Sequence, residues 1–129
     1  MYMEVRHVTF RDLDGDVQLP APTSMLEEWY IKVRDAAVTD LDIEDLARAC
    51  RQNLYSTTVI PLCLLKLEED PLAGEMYDGE LMHAMKGVAP DYWFTQPIDR
   101  ERFLMLARRA FHGSGDASFD ITEHDLLPR

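Results

Sequence analysis

Residues 56–70 read STTVIPLCLLKLEED, and this stretch decides the fold class. Its central part, residues 59–67, carries seven apolar side chains and a single lysine. A helix that is apolar on nearly every side must be surrounded by protein. We therefore expect a helix through the middle of the fold, with an N-cap from the polar run 56–58 and with Pro61 tolerated in the first turn.

The preceding segment, residues 42–54, has the clearest amphipathic pattern in the chain. Apolar residues recur there at helical spacing and form a single stripe: Ile43, Leu46, Ala47, Cys50 and Leu54. Asp42 and Asp45 are spaced as a capping arrangement, and Glu44 stands four residues before Arg48 in the favourable order. The pattern predicts a helix packed against the central one, with Cys50 and Cys63 as buried free thiols.

The segment after the central helix, EEDPLAGEMYDGELMHAM at residues 68–85, is rich in acids and helix breakers. It holds six carboxylates, one proline and two glycines. Pro71 predicts the end of the central helix, Asp78 the N-cap of the next, and Gly87 the C′ residue of that next helix. The stretch is therefore predicted to be a corner between two helices.

Further helices are predicted on either side of this centre. Thr23 or Ser24 caps a helix over residues 24–38, a short turn near residue 92 buries two aromatic rings, and Pro97 opens a last helix that Gly113 stops. Residues 1–22 are predicted to be an arm, with a possible short strand over 3–10, and residues 114–129 an extended acidic tail. The prediction is a mainly α-helical single domain, a compact bundle of about five to six short helices with its core at residues 23–113.

The charge balance limits the class of partner. Twenty-four acidic and thirteen basic residues give a formal net charge of −11. Such a surface repels phosphate backbones and anionic membranes, so we expect no direct nucleic-acid or membrane partner. It attracts a basic protein, although solubility alone explains the charge equally well. The start of the chain lacks a signal-peptide core and no apolar run could span a membrane, so a cytoplasmic location is expected.

Catalytic and metal-binding patterns are weak. The acids of residues 70–80 and those of residues 12–16 both lack the oxygen spacing of a calcium loop. The four histidines are scattered, and no nucleophile or phosphate-binding motif occurs. No catalytic residue, cofactor or metal is predicted; a hydrolase that uses the carboxylates of the corner remains an alternative.

Two consecutive segments carry a family resemblance. The helix IEDLARACRQN followed by VIPLCLLKLEEDPLAGEMYDGELM resembles the CdiI-type immunity proteins of bacterial contact-dependent growth inhibition systems. The matching residues are Asp45, Leu46, Arg48, Arg51, Gln52, Pro61, Leu62, Asp70, Pro71, Leu72, Tyr77, Asp78, Gly79 and Leu81. The resemblance covers about residues 29–93. It departs from the family at Met82, where leucine is usual, and at the polar run 56–58.

The resemblance implies a cytoplasmic bacterial antitoxin. Such a protein binds the C-terminal toxin domain of its cognate CdiA effector, and many of these toxins are nucleases that act on tRNA. An acidic face could occlude a basic active-site cleft, with carboxylates in the place of phosphates. The alternative is a small acidic adaptor or regulatory protein that is not linked to a toxin.

The resemblance also separates two sets of residues. Those shared across immunity proteins that face unrelated toxins are predicted to build the fold: Asp45, Arg48, Gln52, Pro61, Asp70, Pro71, Tyr77, Asp78 and Gly79. The predicted toxin contacts are the remaining acids of the helices, the corner and the tail: Glu44, Glu68, Glu69, Glu75, Glu80, Asp116, Asp120, Glu123 and Asp125. In the tail, Phe119 or Leu126 is predicted to anchor the partner.

Overall fold

The structure is a computed structural model that describes residues 8–128 of the 129-residue chain. These residues form eight α-helices and two 3₁₀ turns and contain no strand, which confirms the predicted mainly α-helical fold class. Most of the possible strand over residues 3–10 lies outside the described residues; Thr9 forms an isolated bridge with Ala37. Contacts divide the chain into two compact units, Met1–Asp42 and Ile43–Arg129, and the single domain stays a prediction.

The first unit contains α1 (Phe10–Leu13), α2 (Met25–Val33) and a 3₁₀ turn. The predicted arm is folded here, because the fully buried ring of Phe10 stacks on Tyr30 at 5.7 Å. The side chain of Ser24 caps α2 as predicted, although α2 ends at Val33, short of residue 38.

A buried ion pair fixes the turn after α1. The guanidinium of Arg34 donates to both carboxylate oxygens of Asp14 at 2.8 and 2.9 Å, and the Tyr30 hydroxyl donates to the same carboxylate at 2.7 Å. The hydrogen bonds from Arg34, together with that from Tyr30, hold the pKa of the Asp14 carboxyl well below its usual range. The acids of residues 12–16 therefore include one that is committed to an internal bond.

The second unit is arranged around α4. Its elements are α3 (Ile43–Arg51), α4 (Ser56–Glu69), α5 (Glu80–Lys86), α6 (Pro90–Thr95), α7 (Pro97–Ser114), a 3₁₀ turn (Ala117–Phe119) and α8 (Glu123–Leu126). Helix α4 packs against α3, α5 and α7, which confirms its predicted central position, although Leu65 on one side is exposed. Cys50 and Cys63 are buried free thiols, as predicted, with their sulfur atoms 3.7 Å apart.

The ends of three helices differ from the predictions. Helix α4 begins at Ser56, so Pro61 lies inside the helix and not in its first turn. The N-cap of α5 is Gly79 and not Asp78, and Gly87 closes α5 with an ordinary negative φ. Pro97 opens α7 as predicted, whereas Gly115, with φ at +70°, ends α7 two residues beyond Gly113.

The predicted extended tail is wrong for the residues up to 128. A 3₁₀ turn packs against α7 and α5, and α8 packs against α6. Phe119 and Leu126 are both buried within the second unit, so neither is available as the predicted partner anchor. Long-range apolar contacts of this kind leave no periodic signal in such a short segment.

Candidate functional site

The acid-rich corner, residues 70–79, is a closed loop between α4 and α5, called here the corner loop. The Gly79 N–H donates to the carbonyl of Leu72 at 2.8 Å, and the Leu81 N–H donates to that of Ala73 at 3.1 Å. At its start, one carboxylate oxygen of Asp70 accepts the Leu72 N–H at 2.9 Å. These bonds join the two ends of the loop, which confirms that the stretch forms a corner between helices.

Glu80 is an internal support of the corner loop and not a contact residue as predicted. It is only 3% exposed, and its Oε1 accepts the backbone N–H groups of Glu75 at 3.0 Å and Met76 at 3.2 Å. A Cβ at Gly74 would collide with the carbonyl oxygen of Tyr77 and with Glu80. The backbone of the loop is therefore held in one conformation by a buried carboxylate and a close glycine contact.

Gly79 brings the C-terminal segment against the corner loop. Its φ of +89° is left-handed, and a Cβ at this position would overlap the ring of Phe119. That ring stacks on His83 at 4.9 Å, and His83 Nε2 lies 2.8 Å from the Ser118 hydroxyl. The predicted tail thus forms part of the support for the loop.

Four predicted contact acids of the helices and corner can be placed. Glu75 Oε1 accepts the N–H of Ile43 at 3.1 Å, so Glu75 serves the otherwise unsatisfied first turn of α3. Glu44 lies 3.8 Å from Arg48 as an i,i+4 pair, and Glu68 pairs with Arg102 of α7. Glu69 is exposed, and its carboxylate has no hydrogen bond or ion pair within residues 8–128.

The tail acids are mostly used within the chain. Asp116 accepts the Ser118 N–H at 2.9 Å, and Asp125 accepts that of Thr122 at 2.8 Å; each bond lowers the pKa of the carboxyl concerned. Glu123 lies 3.5 Å from Arg100. Asp120 is exposed and, in the part of the chain that the structure describes, its carboxylate forms no hydrogen bond or ion pair.

The residues predicted to build the fold divide into two groups. Asp70 and Gly79 shape the corner loop, with Pro71 half-buried beside Asp70, while Asp45, Arg48 and Gln52 lie on or just after α3. Pro61 is half-buried within α4. By contrast, Tyr77 and Asp78 project from the loop into solvent.

The outer part of the corner loop presents three consecutive exposed side chains, Met76, Tyr77 and Asp78, called here the loop tip. Met76 is 71% exposed and Tyr77 is 51% exposed, with the Tyr77 ring 5.8 Å from that of His83. Met76 was missed by the sequence reasoning. The sequence did contain a signal, because Met76 is a large apolar residue that lies between acids in a predicted turn. No helical or strand periodicity there predicts that its side chain is buried.

The carboxylates of the corner loop bind backbone amides or face solvent. Glu80 is the only buried acid of residues 68–80, and its bonds go to backbone amides and not to a second carboxylate. Among residues 8–128, no group of three His, Cys, Asp or Glu side chains is placed to hold a metal ion. Within the same residues, no helix has the length and apolar character needed to cross a membrane.

Residues 8–128 thus combine helices without a strand and an acidic loop whose backbone is held from within. A family model described as CDI immunity proteins matches residues 12–103, and the chain belongs to that family. The match extends beyond the predicted resemblance on both sides. Members of the family are inhibitors and not enzymes, and the family indicates an antitoxin role against a CdiA toxin. No curated protein matches the chain.

Proposed function

We propose that this immunity protein acts in the bacterial cytoplasm by occluding the active site of a nuclease, such as a tRNase, at the C-terminus of its cognate CdiA effector. A nuclease cleft that accepts an RNA backbone is lined with cationic side chains. A rigid acidic surface fits such a cleft and repels competing nucleic acid. The protein makes and breaks no bonds in this mechanism.

The observation that carries the proposal is the charge of the corner loop and its flanks. Residues 68–85 contain six carboxylates and no lysine or arginine. Two of these acids, Glu69 and Asp78, are exposed, and their carboxylates form no hydrogen bond or ion pair within residues 8–128. A charge without an internal partner is free to pair with a cation on another protein.

The test uses the C-terminal toxin domain of the cognate CdiA effector. The wild-type protein should bind that domain and abolish its cleavage of tRNA. The variant Glu69→Gln/Asp78→Asn should bind roughly tenfold more weakly, because it loses two charge pairs at the interface. The control Asp91→Asn/Glu101→Gln removes the same charge from exposed positions on α6 and α7 and should retain wild-type affinity.

Three outcomes would contradict the proposal or the role of the corner loop in it. A complex in which the toxin still cleaves tRNA would remove occlusion as the mechanism. A chain that fails to bind the toxin domain at low ionic strength would favour the adaptor alternative. Equal weakening by both double variants would show that total charge, and not the corner loop, determines the affinity.

A further inference from the structure

We infer that Met76 and Tyr77 are the apolar anchors of the toxin interface, inserted into an apolar pocket of the toxin that cationic side chains border. The inference rests on the proposed antitoxin function and deepens it. The acids of the loop then supply attraction and orientation, whereas the two apolar side chains supply most of the affinity.

The exposure of these two residues is the first argument. Both lie in a tight loop, at 71% and 51% exposure, and contribute little to the core of the second unit. Aromatic residues and methionine are enriched in the buried centres of protein interfaces, and tyrosine is frequent among the residues that dominate binding energy. An exposed pair of this kind on an otherwise acidic loop indicates a docking surface.

The rigidity of the loop is the second argument. The Met76 N–H is held by Glu80 Oε1 at 3.2 Å, and the Tyr77 carbonyl accepts the Glu80 N–H at 3.3 Å. The Tyr77 ring lies beside His83, whose own ring stacks on Phe119. Most of the ordering that binding requires is therefore already present in the free protein, which increases the affinity obtained from a small contact area.

The charge around the anchors identifies the chemistry of the partner. Asp78 directly follows the pair, and no lysine or arginine occurs between positions 68 and 85, where His83 is the one residue that can carry a positive charge. One exposed apolar side chain elsewhere has cationic neighbours: Met105 on α7 lies in a surface depression that Arg108, Arg109 and His112 also line. A basic toxin is attracted by the acidic residues around Met76 and repelled by the basic residues around Met105. Met105 therefore provides a matched control.

The experiment measures the dissociation constant and the dissociation rate of the purified complex with the toxin domain. Met76→Ala and Tyr77→Ala should each weaken binding at least tenfold, mainly through faster dissociation, as expected for buried anchors. Met105→Ala also removes an exposed methionine side chain, but one that lies among basic residues, and it should change the affinity less than threefold. Thermal unfolding of each variant checks that it folds.

The outcomes separate this inference from the proposed function. In one outcome, the wild-type protein binds and inhibits the toxin, and Met76→Ala and Tyr77→Ala bind it equally tightly. This outcome would overturn the anchoring role of Met76 and Tyr77 and leave the antitoxin role intact. Failure of the wild-type protein to bind would overturn both. If the Tyr77→Ala variant unfolds, the binding of Met76→Ala alone tests the inference. The Met76 side chain is the more exposed of the two, so its removal disturbs the fold less.

Discussion

Gly79 is the residue on which the geometry of the corner loop depends most directly. Its positive φ and the approach of the Phe119 ring each exclude a side chain. We predict that Gly79→Ala lowers the free energy of unfolding by about 2 kcal/mol or more, combining left-handed strain of roughly 1 kcal/mol with overpacking of a buried ring. Urea denaturation measures the change.

Gly113 provides the control for that prediction. It lies in the last turn of α7, and a Cβ there would meet nothing within 4 Å. Alanine is the better helix former, so Gly113→Ala should leave stability unchanged or raise it by up to about 1 kcal/mol. A similar loss in both variants would mean that the close contact between Gly79 and Phe119 is unimportant.

The Asp14–Arg34 pair predicts a pH dependence of stability. The pKa of Asp14 is lowered in the folded protein, so its contribution is fully present above the ordinary carboxyl pKa of about 3.9 and is lost as the pH falls. Asp14→Asn should therefore unfold at a lower temperature than wild type at pH 7, and the difference should narrow below about pH 4. A difference that stays constant down to pH 2 would contradict the role of this ion pair.

The roles of single residues could be predicted where those roles depend on neighbours close in the sequence. Ser24 as a helix cap, Pro97 at a first helical position and the Glu44–Arg48 pair all depend on residues within four positions. Asp78 looked equally suitable as a cap. The structure uses Gly79 in its place because Phe119, far along the chain, occupies the space of a side chain there.

At the scale of elements, the apolar periodicity of the sequence was sufficient to predict the central helices of the second unit. The stripe of α3 and the apolar run of α4 correctly placed two helices and the buried thiols between them. The start of α4 was missed because Tyr55 adopts a left-handed conformation before it, with φ at 46°. The folding of residues 116–126 was also missed, since it depends on contacts with α5, α6 and α7.

The packing of α3 on α4 predicts the reactivity of the two thiols. Cys50 and Cys63 are both buried, and the hydrogen bond with Cys50, together with burial, raises the pKa of the Cys63 thiol. A thiol reagent attacks thiolates that it can reach. We expect both cysteines to react at least about 100-fold more slowly in the native protein than in denaturant. Rapid modification of the native protein, measured by absorbance, would show that the two helices separate readily.

At the scale of the whole molecule, both units carry excess negative charge. The first has nine acidic and four basic residues, and the second has fifteen acidic and nine basic residues. Association with a basic toxin domain should therefore be fast at low salt. We predict that the association rate falls about tenfold or more between 50 mM and 500 mM NaCl, while the dissociation rate changes little. Stopped-flow fluorescence measures both rates, and a salt-independent association rate would argue against a basic partner.

Supporting and exposed side chains occupy separate positions along the corner loop, and this separation has an evolutionary consequence. Glu75 and Glu80 bind backbone amides of the protein itself, whereas the three positions 76–78 between Glu75 and Gly79 point outward. With Met76 and Tyr77 as the proposed anchors, mutations confined to those three positions would alter toxin recognition while the supporting acids and glycines keep their roles. Under the same proposal, a new toxin specificity would require only a few substitutions, all at exposed positions.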